Sequence, residues 1–192
     1  MSISTIILLA IVVAIVLWVI GAYNGLVGLK NQVVNGWKQI DVQLKRRHDL
    51  IPNLVNAVKG AMDFERSTLE AVISARNRAV GATGVRQTAQ AEGELTQALG
   101  RLFALTEAYP ELKATGNVAQ LQEEVTSTEN KIGFARQLYN DVATEYNTKQ
   151  MQFPTNLVAG LAKASPAELW EIEDAGDRVV PVVDLSFKKP VS

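Results

Sequence analysis

The single histidine of this chain, His48, stands beside Asp49 at the end of a basic run, Lys45-Arg46-Arg47. A histidine next to a carboxylate is a candidate acid–base pair. On a helix, however, sequence neighbours point apart, and no nucleophile lies near these two in sequence. His48 is therefore expected at the surface or in a turn, without a catalytic role. Metal chemistry finds no better footing. The absence of cysteine removes disulfides, thiol catalysis, iron–sulfur clusters and thiolate zinc sites. Di-iron bundles use Glu-x-x-His pairs on two helices, a pattern missing here, and Glu123, Glu124 and Glu129 are expected to face solvent. Gly81-Ala82-Thr83-Gly84 lacks the lysine that follows in a phosphate-binding loop. It reads as a helix-breaking turn. The expectation is a protein that is not an enzyme and carries no metal or other cofactor.

What remains is binding. The formal net charge of −1 argues against nucleic acid, which calls for a basic face. The charge is unevenly spread, with six Lys/Arg in residues 21–60 and six Asp/Glu in residues 165–185. A basic stem and an acidic tail attract each other, within one chain or between neighbours. The candidate subunit or partner interface is therefore Lys45, Arg46, Arg47, His48 and Asp49, with Trp170, Glu171, Glu173 and Asp174 as the acidic counterpart.

These residues must be held by something, and the chain offers helices. Ile3 to Ile20 carries no charge and is almost entirely Ile, Leu, Val and Ala. At about 1.5 Å per residue such a helix spans roughly 27 Å, close to the roughly 30 Å of a bilayer core. Ile3, Leu8, Leu9, Val13, Leu17, Trp18 and Ile20 are the expected membrane contacts. A cleaved signal would want an early basic residue and a small-residue cleavage site. Met1 to Thr5 is uncharged and the run ends in Trp18-Val19-Ile20-Gly21-Ala22-Tyr23, so an uncleaved anchor is expected. Trp18 and Tyr23 suit the membrane interface, and the basic residues after the span place the body in the cytoplasm with the N-terminus outside.

Beyond the anchor, Leu26, Leu29, Val33, Trp37, Ile40 and Leu44 recur at helical spacing. The first helix is expected to end near His48, because a proline pushes the preceding residue out of the α region. A second helix should restart at Asp49 as N-cap and Pro52 in its first turn and run to Val80. A third should cover Val85 to Tyr109. A fourth carries Val118, Leu121, Val125, Thr128, Ile132, Ala135, Tyr139, Val142 and Tyr146, alternating steps of three and four. That 3.5-residue period predicts a seam of the coiled-coil type. Asn156 to Ala162 suggests a short amphipathic turn. Ser165-Pro166-Ala167-Glu168 reads as a capping box opening a short helix through Trp170. Val179 to Phe187, broken by Pro181, suggests an extended arm. The fold class is all-α: a membrane helix (1–22) continuous with a long antiparallel bundle (23–153), then a C-terminal short-helix segment and extended tail (154–192). Measured from this span, the basic cluster lies roughly 38 Å along a straight helix. Surface potentials are screened within about 8 to 10 Å, so a protein partner suits the cluster better than lipid.

Several runs carry a resemblance. They are Tyr23-Asn24-Gly25-Leu26-Val27, the stretch from Trp37-Lys38-Gln39-Ile40-Asp41 through His48-Asp49-Leu50-Ile51-Pro52 to Val55, and Glu107-Ala108-Tyr109-Pro110-Glu111-Leu112-Lys113. Leu121-Gln122-Glu123-Glu124, Thr128-Glu129-Asn130-Lys131-Ile132, Ala135-Arg136-Gln137, Tyr139-Asn140-Asp141, Tyr146-Asn147 and Phe153-Pro154 extend it. Together they resemble the bacterial LemA family over nearly the whole chain after the anchor. The resemblance implies an N-terminal membrane helix, N-out topology in the inner membrane and an antiparallel bundle; it does not imply an enzyme activity. A magnetosome relative is associated with membrane invagination, and other members lie beside membrane metalloprotease genes. Leu161-Ala162-Lys163 departs from the family pattern. Two functions follow as expectations: a self-assembling protein that contacts lipid and organises the membrane, or an adaptor for a membrane protease or another membrane enzyme.

Overall fold

The computed structural model describes residues 2–59, 66–109 and 116–171. Helix α1 runs unbroken over Ile3–Lys59, 57 residues or about 86 Å of helix. Its two parts obey different rules. From Ile3 to Ile20 the side chains stand out on all sides, with none buried. From Leu26 onward only one stripe is buried: Leu26, Gly36, Ile40, Leu44, Arg47, His48, Ile51, Leu54, Val55 and Val58. An all-round apolar helix needs an apolar solvent, and a striped one needs a protein core.

The expected break at Asp49–Pro52 is absent. Pro52 sits inside α1, and Ile51–Lys59 extends the first helix rather than opening a second. Asp49 is therefore not an N-cap; it pairs with Lys45 one turn earlier. The physical reason is visible on both sides of the proline. Pro52 cannot donate to the carbonyl four residues back, which belongs to His48. That carbonyl instead accepts from Arg76 Nε at 2.9 Å. Around it Ile51, Leu54, Val55 and Val58 are all buried, each worth about 1.5–3 kcal/mol when fully buried. Their combined gain exceeds the roughly 3 kcal/mol cost of an internal proline.

Helix α2 (Arg66–Gly81) and helix α3 (Val85–Ala108) form a hairpin. Gly84, with φ +80°, makes the turn in the left-handed region that glycine tolerates. Helix α4 (Gly116–Met151) lies along α1. Two contacts fix its direction and register: Gly36 faces Tyr139, and Arg47 reaches Glu129. A step of eleven forward on α1 matches a step of ten back on α4, so the pair is antiparallel. A Cβ added at Gly36 would sit 3.4 Å from Tyr139 Cα, so the glycine lets the two backbones approach closely. Of the expected seam positions, Val118, Val125, Thr128, Ile132, Tyr139 and Tyr146 are buried, while Leu121, Ala135 and Val142 are half-buried.

The apolar core falls into two parts. The distal part joins Ile51, Leu54 and Val58 to Leu69, Val72, Leu95, Leu99, Leu102 and Val125. The proximal part joins Ile40 and Leu44 to Ala89, Ile132, Tyr139, Ala143 and Trp170. The last helix among the described residues is a short one, α5 (Asn156–Ala159), which packs on α1 and α4. The helix expected from the capping box at Ser165 does not form; 164–171 carries no regular structure. Side chains of α4 take up the backbone groups that a helix would have used. Asn147 bonds both the N–H and the C=O of Ala167, at 2.8 and 2.9 Å. Asn140, one heptad earlier, does the same for Trp170 at 2.8 and 3.0 Å. The Val179–Phe187 arm, Glu173 and Asp174 lie outside the described residues.

Candidate functional site

The sequence-predicted basic cluster divides into two faces. Lys45, Arg46 and Asp49 are exposed, with Lys45 Nζ 2.9 Å from Asp49 Oδ2. That hydrogen bond pulls the Asp49 carboxyl below its ordinary value. Arg47 and His48 turn inward and are buried. His48 is thus neither a surface nor a turn residue, and Arg47 is not a free contact for a partner.

Arg47 and His48 build a polar layer between the two apolar parts of the core. The Arg47 guanidinium forms ion pairs with Glu92 of α3 and Glu129 of α4. It also donates to Thr96 Oγ1 at 3.2 Å and to the Glu92 carbonyl at 3.4 Å. His48 Nε2 lies 2.6 Å from the other Glu92 carboxylate oxygen. Burial pulls the Arg47 pKa below its usual value, and the Glu92 carboxylate opposes that. An arginine keeps its proton under such conditions, so the layer holds a fixed charge. Glu129, expected to face solvent, spends one oxygen on Arg47.

The layer adjoins a cavity of about 170 Å³ lined by Arg47, Glu92, Thr96, Glu129, Arg136 and Trp170 among others. Arg136 sits 5.4 Å from the centre of the Trp170 ring, within range of a cation–π contact. Burial lowers the Arg136 pKa, and the neighbouring Arg47 charge adds to that. Trp170 is itself buried, its ring tilted 41° against that of Trp37 with centroids 5.9 Å apart. Tyr139, 5.7 Å from Trp37, donates its hydroxyl to the Glu168 carbonyl at 2.7 Å. Burial raises the Tyr139 pKa.

The proposed acidic counterpart is accordingly split as well. Trp170 is taken into its own bundle, and Glu171 is exposed just beyond it. Sequence reasoning missed Glu92, Thr96, Arg136, Asn140 and Asn147. A glutamate on the buried stripe of α3, at a core position between Ala89 and Leu95, was the available signal. Within the layer Arg47 faces Glu92 and Glu129, and His48 faces Glu92. Among the described residues no group of three His, Asp or Glu could hold a metal ion.

Comparison with known proteins agrees with the architecture. The LemA family matches residues 36–185. A protein LemA from Metamycoplasma hominis is 29% identical over 142 residues, covering 73% of this chain and 64% of its own length. This chain therefore spans just under two thirds of that relative. Magnetosome protein MamQ 2 of Paramagnetospirillum magneticum is 24% identical, over 86% of this chain and 71% of its own. Magnetosome protein MamQ of Magnetospirillum gryphiswaldense is 22% identical, over 86% and 70%. Helix α1 is long and apolar enough to cross a membrane once. With the family match taking in most of the helical bundle behind that span, the chain belongs to the LemA family.

Proposed function

We propose that this protein is a membrane-anchored scaffold that assembles with copies of itself and organises or bends the membrane, with its bundle in the cytoplasm and its N-terminus outside. The observation that carries this reading is the continuity of α1, which passes from an exposed apolar span into the bundle core without a break. The bundle then cannot rotate freely about its anchor. Any angle set between neighbouring bundles is passed to the bilayer.

A contact surface is available. Val42, Phe134 and Leu138 are exposed along the groove between α1 and α4, flanked by Lys38 and Lys131. Lys45 and Arg46 add outward charge, while Arg47 does not. If this surface meets a different face of the neighbouring copy, the contact closes into rings or continues as a lattice. The names of the magnetosome relatives associate them with an organelle and motivate the membrane-shaping half of the reading.

The test is the particle mass of full-length protein extracted in mild detergent, read by mass photometry with negative-stain imaging. Rings, shells or large particles are expected, and Phe134→Glu should reduce them to small species with helicity unchanged. A monomer, or a small complex with a co-purifying membrane enzyme, would overturn the reading and favour an adaptor.

A further inference from the structure

The register of α4 against α1 places a second, unassigned apolar surface at the level of the membrane. Following α4 from Tyr139 to Met151 advances about 18 Å. The same advance from Gly36 toward the N-terminus of α1 reaches Asn24, next to Tyr23 and about one turn from Ile20. Past Met151 the chain makes a tight loop containing α5, then returns along α4, with Ala167 bonded to Asn147 and Trp170 to Asn140. The loop therefore forms the end of the bundle nearest the span.

Its composition is wrong for water. Met151, Phe153, Leu157 and Leu161 are 69%, 80%, 68% and 70% exposed. Between them Val158 and Thr155 are buried, which seats the loop on α1 and α4 and turns the other side chains outward. The four exposed residues fall within eleven positions. A cluster of this kind on a water-facing surface is a liability unless something covers it.

The charge of the same end identifies the cover. Residues 146–167 contain Lys149 and Lys163 and no Asp or Glu. On the facing part of α1, Lys30 is the first charged side chain and Asp41 the first acid. The bundle end beside the span thus combines outward apolar side chains with Lys149 and Lys163 and no carboxylate, the first acid on α4 being Glu145, level with Lys30. That is the composition of a segment lying in the boundary between acyl chains and anionic headgroups.

We propose that the Met151–Leu161 loop is a second membrane contact, inserting Phe153, Leu157 and Leu161 into the headgroup boundary of the bilayer leaflet that α1 leaves. Its ligand is anionic phospholipid. It acts as a wedge beside the span and fixes the tilt of the bundle at two points rather than one. The proposal rests on α1 spanning the bilayer, not on self-assembly, so it survives a finding that the protein is monomeric.

Because the chain has no cysteine, one can be placed at will. Full-length Leu157→Cys, labelled with an environment-sensitive nitrobenzoxadiazole dye, is reconstituted into vesicles containing phosphatidylglycerol. A fraction of the lipid carries a nitroxide close to the headgroup. Ile73→Cys on α2 serves as the distal control, since Arg76 bonds the His48 carbonyl and so sets α2 far from the span. The expected result is loss of most of the Leu157→Cys emission on adding nitroxide lipid, and none at Ile73→Cys. The labelled chain that also carries Phe153→Asp and Leu161→Asp should lose that quenching with its helicity unchanged. Leu157→Cys emission as indifferent to nitroxide as that of Ile73→Cys would overturn the proposal. Equal quenching at both sites would overturn it too, since the contact would not then belong to the loop.

Discussion

Lys45 and Arg47 stand two residues apart on the same helix, carry the same charge, and live in different electrostatic worlds. Lys45 points outward and holds Asp49, a partner from its own next turn, with both side chains mostly exposed. Arg47 points inward and is held by Glu92 and Glu129, which lie 45 and 82 positions further along the chain. Water competes with the first pair, whereas Arg47 and Glu92 are both buried and only Glu129 keeps part of its side chain in solvent. Exposed ion pairs contribute little because solvent and side-chain entropy offset the attraction. A buried pair gains little over an apolar replacement, yet breaking one side of it is costly because the other charge stays behind without solvent. The inward charge is thus tied to the register of three helices, and the outward one to nothing beyond its own helix.

The largest effect should come from splitting the inward pair. Arg47→Ala leaves Glu92 buried beside His48 alone and removes the partner of Glu129. A loss of about 3–5 kcal/mol is expected, measured by urea denaturation of the bundle in detergent. The double change Arg47→Met/Glu92→Met sharpens the point. If the layer mainly specifies register, the double variant should recover most of that stability. Its cross-helix packing, read by a cysteine pair placed at the α1–α4 contact, should then become less uniform. An Arg47→Ala chain as stable as the parent would mean that the layer is hydrated and the two charges are alike after all.

A smaller effect is expected where the inward demand is a backbone group. Pro52 leaves the His48 carbonyl without its helical donor, and Arg76 supplies one. Arg76→Ala should cost about 1 kcal/mol, the low end of the range for an unsatisfied acceptor, because this bond is only part-buried. In a chain that also carries Pro52→Ala, the helix regains its own N–H and Arg76→Ala should become nearly neutral. Equal costs in the two backgrounds would show that Arg76 acts through something other than this carbonyl.

The same contrast explains what the sequence made legible. The span, the seam of α4 and the turn at Gly81–Gly84 were readable because they are written in local periodicity and glycine. The break expected at Pro52 is absent because tertiary burial of Ile51, Leu54, Val55 and Val58 outweighs the local preference of the proline. The helix expected at Ser165 failed for a similar reason: Asn140 and Asn147, far away in sequence, offer the backbone of Ala167 and Trp170 a better set of bonds. The polar layer was invisible because its members come from three helices. His48 looked like a turn residue only while its neighbour Glu92 was unknown. Long-range partners leave no periodic mark, except for a charged residue where a core residue is due.

The smallest effect should be found at the outward pair, and it has a pH signature. The Asp49 carboxyl lies below its ordinary value chiefly because Lys45 donates to it. A carboxyl lowered on folding contributes stability that is present above its unfolded pKa of about 4 and is lost as pH falls through the folded value. Near neutral pH and low salt, Lys45→Ala should lower the denaturation midpoint only slightly, by an amount that added salt removes, since helix surface pairs of this kind are weak and screened. Below about pH 4 the parent should lose a small increment of stability that Lys45→Ala has already given up, so the two curves converge as acid is added. A Lys45→Ala chain that is clearly destabilised at neutral pH, and insensitive to salt, would place Lys45 in a contact that excludes water. The exposed face of α1 would then be covered in the protein as it stands in solution, by another part of the chain or by a second copy.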